Sequence, residues 1–149
     1  MPDLFNQTNK NLLRLAVYRG PLRDRLVRYV ASEFRNCRKD PHGVRFLFRS
    51  MFAPEGEYPK FNIVEEFRKE REVIAGLIRE GKSRDGSINP ELMSSALMGI
   101  MLIRILEYFF TGRPRLSRRT AEQLVDLLMP LSLPERAAIP YGKGKGSVR

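Results

Sequence analysis

Few side chains in this 149-residue sequence have the type and spacing of a reacting group. Cys37 is the only cysteine and His42 the only histidine, so neither an intrachain disulfide nor a Cys/His zinc cluster can be built. His42 opens an expected helix, has no serine or cysteine partner by motif, and reads as a surface residue. Cys37 closes the apolar arc of another helix, which makes a buried, inert thiol the better reading. Glu65 and Glu66 point about 100° apart on a helix, where they serve its dipole and make a poor acid/base pair. Gly142, Gly144 and Gly146 alternate with lysines, but no strand precedes them and no helix follows to present its N-terminus to a phosphate. No catalytic residue, metal site or cofactor is expected.

Charges set among bulky apolar residues are more informative. Phe34, Phe48, Met51, Phe52 and Phe67 would converge inside a helical bundle, joined by Met101 or Tyr108. Glu33, Arg71 and Arg104 lie beside those positions, and Glu33 falls inside the apolar arc of its own helix. An apolar cavity with a few fixed polar groups is the usual build of a small-molecule site. The expected pocket is therefore Glu33, Phe34, Phe48, Phe52, Phe67, Arg71, Met101, Arg104 and Tyr108. The competing reading is a filled core whose charges snorkel to its rim or pair with one another.

Helical spacing positions all of these residues, and nothing in the chain reads as a strand. A first helix spans about Leu4 to Arg19 and closes at Gly20. Pro21 suits the first turn of a second helix, whose inner arc is Leu22, Leu26, Tyr29, Val30, Phe34 and Cys37. Asp40 followed by Pro41 reads as an N-cap and first helical residue, with Val44, Leu47, Phe48, Met51 and Phe52 facing inward. After a loop from Ala53 to Lys60, Asn62 and Glu65 fit a capping box, and Gly81 stops that helix. The turn Ser83 to Ser87 leads to Asn89 and Pro90, a second cap-plus-proline start. The last helix, from about Ser117 to Met129, carries Ala121, Leu124, Val125 and Leu128 on one face. Residues from Pro130 onward are rich in Pro, Gly and Lys.

The helix opened by Asn89 is apolar on almost every side. Leu92, Ala96, Gly99, Ile103, Leu106 and Phe110 make one face, and Met98, Leu102, Ile105 and Phe109 make another nearly opposite. Only Arg104 and Glu107 form a charged strip. A helix roofing one small core needs a single apolar stripe, so this one calls for a second cover, most simply a twin subunit. Its length invites a membrane reading, but Ser94, Ser95, Arg104 and Glu107 interrupt the segment. The first twenty residues carry Asp3, Asn6, Asn9, Lys10 and Asn11 where a signal peptide needs an apolar run. The expectation is a cytoplasmic, single-domain protein without a membrane partner, its 42% hydrophobic content enough for one core.

The net charge of +10 is uneven: Met1 to Ser50 carries eleven basic and four acidic groups, Met51 to Ile100 seven and nine, and the remainder nine and four. A small RNA-binding protein using its basic ends is one alternative, although the aromatic platforms and glycine loops of common RNA folds are missing. A helical dimerisation or interaction module that takes no ligand is another.

The order of elements resembles the C-terminal regulatory domain of TetR-family transcriptional regulators. The resemblance rests on Leu77-Ile78-Arg79-Glu80-Gly81, Gly86-Ser87-Ile88-Asn89-Pro90, Leu97-Met98-Gly99-Ile100, Leu116-Ser117 and Ala121 through Leu128, and it covers roughly Pro21 to Leu133. It implies an all-α, orthogonal or up-down bundle of five to six helices, whose last two form a four-helix bundle with those of a twin subunit. The seam is then expected at Met98, Leu102, Ile105 and Phe109 with Ala121, Leu124, Val125 and Leu128, the Ile103 and Leu106 side of the long helix being the alternative. It further implies residues 1–20 as a connecting helix, 21–133 as an effector-binding and dimerisation domain, and 134–149 as a flexible basic tail. Such a repressor starts with a helix-turn-helix headpiece of about fifty residues that enters the major groove. No such headpiece is found here, so the implied partners are a second copy and an unknown small-molecule effector, with DNA contacted only through a headpiece.

Overall fold

The structure, a computed structural model, describes residues 2–54, 63–81 and 89–129, and these are all helical or connecting, without a strand. The helices are α1 (Pro2–Val17), α2 (Leu22–Lys39), α3 (Pro41–Met51), α4 (Ile63–Glu80), α5 (Pro90–Thr111) and α6 (Arg118–Leu128). The expected Asn62 cap, the turn 83–87 and the basic tail lie outside the described residues.

Local chemistry sets the helix ends. Asp40 accepts a hydrogen bond from the Gly43 N–H at 2.8 Å, with Pro41 at the start of α3 where a missing N–H costs nothing. The Asp40 carboxylate occupies the space a Cβ at Gly43 would need. Asn89 does the same for α5 by accepting from the Leu92 N–H at 3.1 Å, again with a proline first in the helix. Ser117 caps α6 through the Thr120 N–H at 3.2 Å. Gly112 ends α5 at φ 75, a left-handed conformation that suits glycine. Pro21 is a correction in detail: it is the N-cap of α2 rather than part of its first turn. Asp40→Ala should lower stability by about 1 kcal/mol, read as a fall in denaturation midpoint with unchanged slope.

Helix α2 is the centre of the assembly, packing against α1, α3, α5 and α6, while α4 lies along α5 and also meets α1. Its stripe of Leu26, Val27, Tyr29, Val30, Glu33, Phe34 and Cys37 is buried throughout. Helix α6 turns Ala121, Leu124, Val125 and Leu128 inward, and the exposed Arg23–Asp126 pair, with Nε to Oδ1 at 2.6 Å, ties it to α2. Helix α5 sends Met93, Ser94, Leu97, Met101 and Ile105 into the core. On its far side Leu92, Ile103 and Phe110 stay exposed, Phe110 by 80%. By length and composition α5 could also cross a membrane.

Candidate ligand pocket

Five helices leave a cavity of about 450 Å³ between them. Leu4, Phe5 and Thr8 come from α1, Glu33 and Cys37 from α2, and Leu47 and Met51 from α3. Helix α4 supplies Phe67 and Glu70, with Val64, Arg68 and Arg71 nearer the solvent. Met98, Met101, Leu102 and Ile105 of α5 complete a mostly apolar wall. Three methionines, Met51, Met98 and Met101, make that wall adaptable, because an unbranched thioether can fill irregular gaps.

Polar atoms concentrate in one buried cluster. Glu33 Oε2 accepts from the Thr8 hydroxyl and Oε1 from Asn11 Nδ2, both at 2.8 Å. Glu70 Oε1 accepts from the Tyr29 hydroxyl. All five residues are buried, with Glu33 6% and Glu70 5% exposed. Among the described residues no lysine, arginine or histidine pairs with either carboxyl. Burial raises both acids: Glu70 to about 8, through desolvation and then the charge of Glu33, and Glu33 upward by desolvation against the opposing pull of Asn11 and Thr8. Two donors on Glu33 against one on Glu70 favour the charged form more at Glu33 than at Glu70. The same burial pushes the Cys37 thiol and the Tyr29 phenol up, so neither serves as a nucleophile or base near neutrality.

Of the nine residues expected in the pocket, Glu33, Phe67, Arg71 and Met101 line it. Phe34 is fully buried in the core, and Phe48 packs half-buried against it without reaching the cavity. Phe52 follows the end of α3 and is 77% exposed, because the chain leaves the helix before that side chain can turn inward. Arg104 lies on the side of α5 turned to α6, with Ile100, Pro114 and Leu127, and pairs with Glu107 at 3.0 Å. Tyr108 sits with Arg38 and Phe109 in a shallow hollow elsewhere. Glu70 went unnamed from sequence, although its place between Phe67 and Ile74 puts it on the apolar arc of α4 as surely as Glu33 lies on that of α2.

The expected seam is redistributed as well. Met98, Leu102 and Ile105 are pocket wall, and Phe109 is half-buried, edge-on to Tyr108 at 5.3 Å. Ala121, Leu124, Val125 and Leu128 are buried inside the chain, so they offer a partner no surface. The apolar side chains left exposed on α5 and α6 are Leu92, Ile103, Phe110 and Leu127. His42 is exposed and Cys37 buried.

A second cleft, of about 410 Å³, has the opposite character. Arg14, Arg25, Arg28, Arg35 and Arg118 line it, with Arg28 lying over the Tyr18 ring at 3.9 Å. Asn11 and Tyr29 belong to both sides: each lines the basic cleft and donates to a carboxyl of the apolar pocket. No group of three or more metal-ligating side chains occurs among the described residues. No protein-family model, curated protein or solved structure matches the chain.

Proposed function

We propose that this chain is the effector-sensing and self-pairing domain of a TetR-like transcriptional regulator, binding a small, mostly apolar ligand. The observation that carries the reading is the apolar cavity with one buried polar cluster, enclosed by α1 through α5. Its size falls within the range of drug-sized ligand sites. Helix α1 holds a place suited to signalling, since Leu4, Phe5 and Thr8 touch the cavity and α1 also packs on α2, α3 and α4. In the resemblance this is the connecting helix, and a ligand that shifts it would change the spacing of two headpieces. The outward face of α5 supports pairing: Leu92, Ile103 and Phe110 lie on one side of a helix whose opposite side is the core. A soluble protein hides such a face most simply against a second copy, in an intersubunit four-helix bundle of α5 and α6.

Filling the cavity tests the ligand-binding half. A screen of small apolar compounds should raise the thermal midpoint of the wild-type protein, as any ligand selective for the folded state does. Met98→Trp should keep the helical spectrum and lose those shifts, because Met98 lines the cavity and is only partly buried. Compounds that stabilise both proteins equally bind elsewhere and would contradict the assignment. The basic cleft favours a second reading, a nucleic-acid surface. It requires affinity that falls steeply with salt and drops on replacing Arg28 and Arg35 with Ala.

A further inference from the structure

The buried acids say which sign of charge the pocket receives. We propose that it takes an organic cation with an apolar body, an amine or other ammonium-type group, whose charge seats against Glu33 and Glu70. This rests on the cavity being a ligand site. A buried carboxylate without a counter-charge is costly, and removing one partner from such a pair is among the most destabilising changes known. Glu33 stands in that position here: Thr8 and Asn11 supply hydrogen bonds but no charge, and Glu33 lines the cavity. A carboxylate has roughly four lone-pair sites, so two neutral donors leave acceptor capacity for a ligand N–H.

The remaining charges argue against an anionic ligand. Arg68 is held by Glu65 on one side and Glu72 on the other. Arg71 is exposed, where water screens what it can offer. An anion bound at that rim would direct its apolar end onto two buried carboxyls. A cation reverses this, with the ammonium at the acids and the hydrocarbon against Met98, Met101 and Ile105. Among the described residues no cation of the chain pairs with either acid, and α3 and α5 bring no ionisable lining group. Among the described residues, the titratable or charged groups facing the acids are Tyr29 and Cys37 from α2 and Arg68 and Arg71 from α4, with Thr8 and Asn11 donating from α1.

Phenylbutylamine, phenylbutanol and phenylbutyrate test the charge with one hydrocarbon body. At neutral pH calorimetry should find the amine bound about ten-fold or more tighter than the alcohol, with the carboxylate weakest. Glu33→Gln should abolish the preference for the amine while the alcohol still binds, which also reports that the pocket is intact. A wild-type measurement covers the case in which that variant does not fold. The ratio of amine to alcohol affinity should increase as pH passes about 8 and Glu70 ionises, while the amine keeps its proton. Equal binding of amine and alcohol, preference for the carboxylate, or a flat ratio across that pH range overturns the proposal. If none of the three binds, the ligand-site reading itself fails, a result distinct from binding without charge preference.

Discussion

Between about pH 5 and about pH 9 the folded protein should lose on the order of 4 kcal/mol of stability, and Glu70→Gln should remove most of that loss. The cause is Glu70, whose carboxyl is raised from 4.5 to about 8, first by burial and then by the neighbouring charge of Glu33. Below the ordinary carboxyl value both folded and unfolded chains hold this proton, and folding is insensitive to pH. Above it the unfolded chain releases the proton while the native chain keeps it, so stability falls until the native carboxyl also ionises. Beyond about pH 8 the slope from this group ends. Glu33 acts in the same direction, since it too is raised. Gln at position 70 retains an oxygen for the Tyr29 hydroxyl and has no proton to lose. Urea denaturation at a series of pH values measures the effect. A wild-type curve flat across this window, or an equal slope in Glu70→Gln, would show that the acids do not share a dry site.

Ile103→Glu should turn a dimer into a monomer at micromolar concentration without loss of helix content. Ile103 is 52% exposed in the single chain, between Leu92 and Phe110 on the outward face of α5, so a glutamate there meets water in the monomer. In a four-helix intersubunit seam the same glutamate would be desolvated without a partner, and central interface residues carry about 2 kcal/mol or more. At that cost the dissociation constant rises by a factor of about thirty, and further for a fully buried charge. Light scattering across a dilution series reads the change. Ile105→Glu is the contrasting variant: Ile105 is 6% exposed, so the substitution should damage the fold instead of the pairing. A wild-type protein that is monomeric throughout the series, or an Ile103→Glu protein that still pairs, would place the function of this face elsewhere.

The sequence carried the helices, because their signals are local. Asp40-Pro41, Asn89-Pro90, Ser117 and Gly112 mark ends through interactions with atoms three or four residues away. Apolar spacing at 3.6 residues per turn likewise places Phe34, Ala121, Leu124, Val125 and Leu128 on inner faces, and all five are buried. Glu33 could be singled out because a charge interrupts an apolar arc. Glu70 carried the same signal within α4, and both acids are explained only by what lies across the bundle: Thr8 and Asn11 are 25 and 22 residues before Glu33, and Tyr29 is 41 before Glu70.

Which face of a helix meets which neighbour was decided by tertiary structure. Periodicity says that α5 has two apolar sides and does not say that α4 lies along one of them, leaving Met98, Leu102 and Ile105 around a cavity and Ile103 outside. It places Arg104 close to Met101 in the chain, yet at 100° per residue the two diverge by about 60°, enough to send one to the pocket and the other toward α6. From sequence alone this protein was an all-helical chain with misplaced charges and one helix apolar on too many sides. The packing of five helices joined one of those charges, Glu33, to Glu70 as a buried acid pair, because only side chains distant in sequence can remove a carboxyl from water on every side.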